Sequence, residues 1–365
     1  MADYSDRIKE LEEEIKNTQY NKRTQHHIGL VKAKIAVLKD KEIARSSSGG
    51  KGQGYSVRKT GDATVILIGF PSAGKSTLLN GITNANSPVA AYEFTTLNVI
   101  PGVLEYKDAK IQVLDVPGIL KGAASGKGRG KEVLAVIQSA DLVIFVADVL
   151  RPNALPVLQK EVYDAHIRLN QRKPDVKIKK TARGGIRIGK TVKLSQLNDE
   201  TIKSILQEFR LNNADIVIRT DITADQLIDV IEGNKKYIPG IDLMNKMDMI
   251  SPEELKKILD EYQIDIAISA EKKINLDKLK EMIFRRLGFI RIYCKQARQK
   301  ADLDIPLIML EGSTLRDMCN KLHKDFVNKF HFARLWGKSV KFDGQKVLKL
   351  EHKLLDKDIV ELHMR

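Results

Sequence analysis

GFPSAGKS occupies residues 69 to 76, where it joins the apolar run TVILIG to STLLNGITN, a segment whose pattern predicts a helix. A glycine-rich turn at the end of a strand lets backbone N–H groups and the helix N-terminus converge on phosphate oxygens. In the pattern GxxxxGKS the lysine reaches the β- and γ-phosphates and the serine hydroxyl binds Mg²⁺. The predicted phosphate-binding residues are Gly69, Phe70, Pro71, Ser72, Ala73, Gly74, Lys75, Ser76 and Thr77.

A second motif, DVPG, occupies residues 115 to 118 at the end of the apolar run KIQVLDV. This position predicts that Asp115 lies at the carboxyl edge of a parallel sheet, where α/β folds bind their ligands. The Asp115 carboxylate can hold Mg²⁺ through a water molecule there, and the Gly118 N–H can contact the γ-phosphate.

A threonine between these two motifs is needed to close over Mg²⁺ when a γ-phosphate is present, and EFTTL at residues 93 to 97 offers two. We favour Thr96, with Thr95 in reserve, and a threonine that only forms a turn is the alternative. The predicted metal ligands are therefore Ser76, Thr96 and Asp115. The predicted catalytic residues are Lys75, Thr96 and Gly118.

The motif NKMD at residues 245 to 248 predicts which purine the pocket selects. A carboxylate at Asp248 can accept hydrogen bonds from guanine N1–H and from the exocyclic amine, and adenine offers no such pair. We predict that Asn245 braces the loop, that the Lys246 stem covers the base, and that Ser269 and Ala270 provide the backbone contact to the guanine oxygen. GTP and GDP are the predicted ligands.

Ile119 follows DVPG at the position where Ras-type enzymes carry a glutamine that orients the attacking water. A hydrophobic side chain cannot orient water, so we expect slow intrinsic hydrolysis that rests on positioning and charge neutralisation. The glycine- and lysine-rich segment 118–134 that begins here is predicted to be a nucleotide-dependent switch, or else a flexible surface loop.

Three functions remain open on these residues. The first is a GTP-hydrolysing switch that binds ribosomes or RNA, and the second is an RNA scaffold that binds guanine nucleotide with negligible hydrolysis. The third, a P-loop ATPase or kinase, is disfavoured by NKMD and by the lack of a separate phosphoacceptor site.

The order of apolar patterns predicts an α/β fold with a mostly parallel sheet and three further parts. Between DLVIFVADV and IDLMN lie roughly 90 residues, although one crossover helix needs only ~20 to 40, so an insertion is expected. The predicted parts are an N-terminal helical hairpin with a flexible linker (1–60), a nucleotide-binding domain (61–170 and 237–288), a basic α/β insertion (171–236) and a C-terminal β-grasp domain (289–365).

The insertion is predicted to contain the helix DETIKSILQEFRL, the strand NADIVIRT and the helix TADQLIDVIEG. In the β-grasp domain we expect the strands IRIYC, FHFARLW, SVKF and DIVELHM around the helix TLRDMCNKLHKDF. Phe330, Phe332 and Trp336 alternate along FHFARLW, which favours packing in the core. Only 5% of the residues are aromatic, so an exposed platform for base stacking is not expected.

The composition, with 42% hydrophobic and 30% charged residues, is typical of a soluble globular protein. The sequence contains no apolar run long enough for a membrane span and no secretory signal pattern, so we expect no membrane association and a cytoplasmic location. The two cysteines, Cys294 and Cys319, form no disulfide or zinc pattern.

The formal net charge of +15 attracts polyanions, of which RNA is the commonest in the cytosol. Ten lysines or arginines and one acid, Asp175, lie between Arg168 and Lys193. We predict phosphate contacts there, and the alternative is a solvated basic surface without a ligand. Nothing indicates DNA specificity. The predicted contacts come from Lys177, Lys179, Lys180 and Arg183.

Together these motifs resemble the developmentally regulated GTP-binding proteins, which are Obg-like, translation-factor-related GTPases. The resemblance is carried by GFPSAGKSTLLN, YEFTTL, DVPGILKGAASGKGRG, NNADIVIR, NKMD and a C-terminal end similar to TGS domains. It implies a Ras-like GTPase domain with an α/β insertion, a helical hairpin, a TGS domain of the β-grasp type and work on ribosomes or translation. Nearly the whole chain is covered.

The same resemblance implies K⁺ as an activator and, for eukaryotic members, a stabilising partner protein. Many potassium-dependent relatives hold the ion with an asparagine in the phosphate loop. The corresponding residue here is Ser72, so that ligand does not carry over directly.

Overall fold

The computed structural model describes residues 4–19, 21, 24–46, 61–83, 100–116, 136–296, 299 and 302–364. The chain divides into two compact units, one made of Met1–Gly54 and His166–Tyr237 and the other of Tyr55–Ala165 and Ile238–Arg365. The hairpin and the insertion therefore share one unit, which the sequence did not lead us to expect. In the part of the chain described, no helix has the length and apolarity needed to cross a bilayer.

The central domain of the second unit is built on a mostly parallel sheet, in the order β11-β10-β4-β1-β3-β2. Only β2 and β3 pair antiparallel. Every residue of β1 is buried, as expected for a central strand covered on both faces. The strands are β1 (Ala63–Ile68), β2 (Ile100–Tyr106), β3 (Ala109–Asp115), β4 (Leu142–Asp148), β10 (Gly240–Asn245) and β11 (Ile266–Ala267).

Four labelled helices accompany this sheet among the described residues: α3 (Lys75–Ile82), α4 (Ala154–Asp164), α7 (Pro252–Tyr262) and α8 (Leu276–Arg286). A capping box in which Ser251 and Glu254 exchange hydrogen bonds fixes the start of α7. The predicted α/β class and mostly parallel sheet are confirmed.

The first unit combines the predicted helical hairpin with the insertion. Helices α1 (Tyr4–Asn17) and α2 (Gln25–Ser46) pack through Ile8, Leu11, Val31 and Ile35. In the insertion, β8 (Ala214–Ile218) lies between β6 (Val176–Lys180) and β7 (Ile186–Lys190). The expected helices and strand are present as α5 (Asp199–Glu208), β8 and α6 (Ala224–Glu232), and the basic stretch adds β6 and β7.

Helix α2 packs on α5 and α6, and its Ala33 belongs to the buried core of the insertion. A Cβ placed on Gly29 would lie 3.1 Å from Thr201 Cγ2, so α2 comes close to α5 at this residue. The Lys32 ammonium also lies 2.6 Å from the Asp225 carboxylate. A short pair of strands, β5 (Ile167–Leu169) and β9 (Lys236–Ile238), closes the insertion.

The C-terminal domain is a mixed sheet in the order β13-β12-β16-β14-β15. Leu315 and Met318 of α9 pack into its core. Its elements are β12 (Phe289–Lys295), β13 (Leu307–Leu310), α9 (Leu315–Leu322), α10 (Phe326–Lys329), β14 (Phe330–Trp336), β15 (Gln345–Val347) and β16 (Ile359–Met364).

Two expectations for this domain were wrong. SVKF, residues 339–342, is not a strand, because the chain turns at Gly337 and Gly344, both with positive φ, and pairs again only at Gln345–Val347. Strand β13 was not predicted. Of the aromatic residues expected in the core, Phe330 packs against it, whereas Phe332 and Trp336 belong to the opposite face of the sheet.

Candidate nucleotide site

The loop between β1 and α3 has the close backbone packing that its glycines allow. A Cβ on Gly69 would lie 2.4 Å from the Val146 carbonyl oxygen, so only glycine fits beside β4. Gly74, the N-cap residue of α3, has φ 87°, and a Cβ there would lie 2.3 Å from Asn245 Nδ2. Ser72 also has a positive φ, of 66°. The loop therefore presses against β4 and Asn245, with the N-terminus of α3 at its end.

Lys75 is only 8% exposed and bends back over this loop. Its ammonium donates to the carbonyl oxygens of Gly69, at 3.1 Å, and of Phe70, at 3.2 Å. Burial lowers the pKa of Lys75, and the nearby Asp115 carboxylate acts in the opposite direction. The two carbonyls thus hold a cation inside the loop.

Ser76 and Asp115 meet at the carboxyl edge of the sheet. The Ser76 hydroxyl donates to Asp115 Oδ2 at 2.6 Å. Asp115 is 5% exposed, and its Oδ1 is buried without a hydrogen-bond partner among the described residues. A buried carboxylate oxygen without a donor, beside a hydroxyl, suits a hard cation that prefers oxygen ligands, so these residues fit Mg²⁺.

Asn245 joins three segments at the end of β10. Its Nδ2 donates to the carbonyl oxygen of Ala73 at 2.9 Å, and its Oδ1 accepts from the Ala270 N–H at 3.0 Å. Both bonds are buried. Asn245 consequently fixes the phosphate loop relative to the segment that carries Ser269 and Ala270.

A small cavity of about 60 Å³ opens beside Asn245. Hydrogen bonds from Ser269 and Lys272 hold the pKa of Asp248 below its ordinary value, so the carboxylate stays an acceptor at neutral pH. Ser269 is itself 1% exposed. The cavity is lined by Gly74, Thr77, Asn245, Lys246, Asp248, Met249, Ser269, Ala270 and Glu271.

Two residues of this site were missed by sequence reasoning. Asp148 ends β4 next to Asn245, and its Oδ2 lies 2.6 Å from the Lys246 ammonium. Lys272 lies 3.1 Å from Asp248 Oδ2. An acid at the carboxyl end of the apolar strand DLVIFVAD was a signal for Asp148. Lys272 lies in the turn just after Ser269, and nothing in the sequence distinguishes it from a lysine that only forms part of a surface turn.

Among the remaining predicted residues, Phe70 is half-buried and Pro71 is exposed in the phosphate loop. Thr95, Thr96, Gly118 and Ile119 lie outside the described residues, as does the whole of segment 118–134.

These features define a GTP-binding P-loop GTPase: a strand, phosphate loop and helix, a buried carboxylate that accepts from the Ser76 hydroxyl, and an Asn-Lys-Met-Asp base pocket. Residues 64–180 match the family model of the 50S ribosome-binding GTPase, residues 183–289 the C-terminal region of the same domain family, and residues 290–364 the TGS domain. The chain belongs to the family of developmentally regulated GTP-binding proteins, and it is a GTP-hydrolysing enzyme.

Curated relatives match along nearly the full chain. An uncharacterized GTP-binding protein of Methanocaldococcus jannaschii is 54% identical, with 97% of this chain and 91% of the relative covered. Developmentally-regulated GTP-binding protein 1 of Xenopus laevis is 45% identical, with 98% of each covered. Developmentally-regulated GTP-binding protein 2 of Homo sapiens is 41% identical, with 98% of each covered.

Proposed function

We propose that this GTPase is a molecular switch that acts on ribosomes or RNA during translation in the cytoplasm. The family model that matches residues 64–180 is described as a 50S ribosome-binding GTPase. The observation that carries the proposal is an exposed, positively charged sheet face in the insertion. A partner with a phosphate backbone fits such a face.

That face exists because the side chains of β6 and β7 alternate between the two sides of the sheet. Val176 and Ile178 pack against the insertion core, so Lys177 and Lys179 project from the other side and are exposed. Arg183, in the turn between the two strands, is exposed as well. Within the described residues, Lys177, Lys179, Lys180 and Arg183 make no ion pair, which leaves their charge available to phosphates.

For the nucleotide, we propose that the triphosphate lies in the loop of residues 69–77 and the guanine in the cavity beside Asn245. Lys75 turns from the loop carbonyls to the phosphates, and Asp248 accepts from the two guanine donors. The aliphatic part of the Lys246 side chain covers the base, and Asp148 holds it in place by pairing with the Lys246 ammonium. Asn245, Ser269 and Ala270 hold the pocket in shape.

Ser76, Asp115 and Thr96 are the residues proposed to hold Mg²⁺, with Thr95 as the alternative threonine. When bound, Mg²⁺ neutralises charge that develops on the β- and γ-phosphate oxygens. Lys75 adds a second positive charge, and the Gly118 N–H contacts the γ-phosphate. Catalysis then rests on positioning and charge neutralisation, without a general base among these residues.

We further propose that turnover by the isolated protein is slow, since Ile119 cannot orient water, and that K⁺ accelerates it. GTP hydrolysis measured in sodium and in potassium buffer, with and without ribosomes, tests this. We expect slow turnover in sodium and faster turnover in potassium. Rapid turnover of the isolated protein in sodium contradicts the proposal, and Lys75→Ala supplies the inactive control.

Ribosome binding is tested by sedimentation of a variant that carries Lys177→Gln, Lys179→Gln, Lys180→Gln and Arg183→Gln. The expected result is weaker co-sedimentation and a shallower dependence on salt, because a variant that makes fewer phosphate contacts releases fewer counterions when it binds. A control variant neutralises four exposed lysines of the other unit, Lys160, Lys256, Lys257 and Lys278. Unchanged sedimentation of the first variant, or equal loss in both, contradicts the assignment to this face.

A further inference from the structure

The sheet of the TGS domain has one face in the domain core and one face outside it. Ile290 and Ile292 of β12, Leu335 of β14 and Val360 of β16 lie in the core. Strand residues alternate between faces. The residues between them, among them Arg334, Trp336 and Glu361, therefore lie on the opposite face.

The register of β14 and β16 places aromatic and charged side chains side by side on that outer face. Phe332 pairs with His363, Arg334 with Glu361, and Trp336 with Ile359. Arg334 also pairs with Lys346 of β15. Both Arg334 and Lys346 are exposed, whereas Phe332 and Trp336 are half-buried. On the outer face of β14 the cation Arg334 thus lies between the rings of Phe332 and Trp336, and Lys346 of β15 adds a second cation beside Arg334.

The rings are held in defined positions. Phe332 stacks on His363 with ring centroids 4.2 Å apart and planes 14° apart, and the Lys346 ammonium lies 4.2 Å from the Phe332 centroid. The Lys295 ammonium lies 4.2 Å from the centroid of Trp336 and 2.7 Å from Glu361 Oε2.

Glu361 is the acid of this face, and it is neutralised. Burial raises the pKa of Glu361, but hydrogen bonds from Lys295 and His363 outweigh burial and leave it below its ordinary value. It is 6% exposed. The exposed charge on β14 and β15 is accordingly positive, and the turn between these strands adds the exposed Lys338 and Lys341, with Asp343 as its exposed acid.

We propose that this face, formed by Phe332, Trp336, His363, Arg334 and Lys346, binds single-stranded RNA by stacking of unpaired bases. Rings beside exposed cations match bases beside phosphates, and duplex RNA offers no unstacked base. A base can replace the Lys346 ammonium on Phe332, since stacking of a base is worth more than an exposed cation–π contact. The released ammonium then pairs with a phosphate.

The composition argued against such a platform because aromatic residues are scarce over the whole chain. Their local arrangement matters more than their average frequency. The inference rests on the proposed RNA-binding role but uses residues of the other compact unit, none of which belongs to the basic sheet face of the insertion.

Trp336 is the only tryptophan of the chain, so intrinsic tryptophan fluorescence reports on this face alone. We would titrate the full-length, GDP-bound protein with a short oligouridylate and with a duplex RNA of equal length. The expected result is saturable quenching by the single strand and none by the duplex. Absence of quenching by the single strand, or equal quenching by both, overturns the proposal.

Phe332→Leu tests the ring itself, with Phe326→Leu, a half-buried phenylalanine of α10 that contacts His323, as the matched control. We expect the first change to raise the Kd for the oligouridylate at least about five-fold and the second to leave it within about two-fold. Unchanged thermal unfolding of both variants, followed by Trp336 fluorescence, shows that the TGS domain is folded. Equal Kd values for the two variants overturn the proposal.

The insertion variant separates this inference from the proposed function. With Lys177, Lys179, Lys180 and Arg183 neutralised, quenching of Trp336 by the oligouridylate is expected to persist while ribosome sedimentation weakens. Weakened sedimentation together with an unquenched Trp336 in the unmodified protein leaves the ribosome proposal standing and overturns this one.

Discussion

At the scale of single residues, the first unit contains an ion pair that water scarcely reaches. Arg168 of β5 binds Asp229 of α6 through two bonds, Nε to Oδ2 at 2.6 Å and Nη2 to Oδ1 at 2.7 Å. The two side chains are 5% and 4% exposed. The cost of desolvation offsets much of the attraction in such a pair. Removal of one partner, however, leaves the other charge buried and unpaired.

We expect Arg168→Met to destabilise the protein by about 3–5 kcal/mol, because Asp229 is left buried without its partner. Urea denaturation measures the loss. Arg219→Met, which breaks a 3.3 Å pair with Asp175 whose side chains are 42% and 52% exposed, is the control, and it should cost less than about 1 kcal/mol. Similar losses in both variants would contradict the assignment.

At the scale of structural elements, the phosphate loop depends on contacts with the end of β10. Gly74 adopts a left-handed φ of 87° directly beside the Asn245 amide. The loop, in turn, receives a hydrogen bond from that amide at Ala73. The conformation of one loop is therefore fixed by a side chain far away in sequence.

Gly74→Ala is expected to weaken GDP binding at least about ten-fold. The left-handed conformation costs an L-residue ~1–2 kcal/mol, and the new Cβ displaces Asn245 from Ala73. Calorimetric titration with GDP measures the effect. Gly189→Ala in β7, where the added Cβ would be 3.8 Å from its nearest neighbour, is the matched control. An unchanged Kd for Gly74→Ala would count against this view of the loop.

A second contact between elements joins the β2–β3 hairpin to α8. Glu281 accepts from Tyr106 at 2.8 Å, Lys107 at 2.6 Å and Arg285 at 2.8 Å. Hydrogen bonds from Lys107, Arg285 and Tyr106 lower the pKa of Glu281 from 4.5 to about 2. The folded protein therefore binds the proton of Glu281 less readily than the unfolded chain.

Since the folded pKa is the lower one, the stability due to ionised Glu281 is complete above pH 4.5 and disappears as the pH falls toward about 2. We expect the difference in Tm between the wild type and Glu281→Gln to be constant above that window and to shrink within it. Thermal unfolding followed by circular dichroism over this range measures it. A difference independent of pH would contradict the prediction.

The sequence predicted those elements whose chemistry is local. GFPSAGKS indicates a phosphate loop between a strand and a helix, and the periodicity of the apolar residues was enough to predict β8, α5 and α6. The features that the sequence did not predict depend on contacts between residues that are far apart in the chain. Asp148 becomes a site residue only when β4 and β10 pair, and the face of Trp336 depends on how β14 pairs with β16.

At the scale of the whole molecule, the two compact units divide the proposed work. The nucleotide site and the TGS domain belong to one unit, and the basic sheet face to the other, together with the hairpin. The hairpin is packed as part of the first unit, because α2 contributes Ala33 to the core of the insertion. His26 of the same helix lies within 3.0 Å of the Thr201 hydroxyl.

Gly29→Leu should separate α2 from α5, because a Cβ at this position already lies 3.1 Å from Thr201 Cγ2. Overpacking of this kind costs ~1–3 kcal/mol. We expect faster proteolysis of the first unit and unchanged GDP affinity, since the nucleotide pocket belongs to the other unit. Lys34→Leu, at an exposed position of α2, is the control. Proteolysis that is as slow as in the wild type would argue against tight packing.

The central claim is that the pocket beside Asn245 selects guanine through one carboxylate. Calorimetric titration of the wild type, of Asp248→Asn and of Lys272→Ala with GDP, ADP and xanthosine diphosphate tests it most directly. The wild type should prefer GDP over ADP at least about 100-fold, because each charge-assisted hydrogen bond contributes ~1.5–3 kcal/mol. Asp248→Asn should lose that preference and gain affinity for xanthine, whose carbonyl accepts from an amide, whereas Lys272→Ala should keep guanine selectivity. Equal binding of GDP and ADP by the wild type, or intact selectivity in Asp248→Asn, would contradict the account.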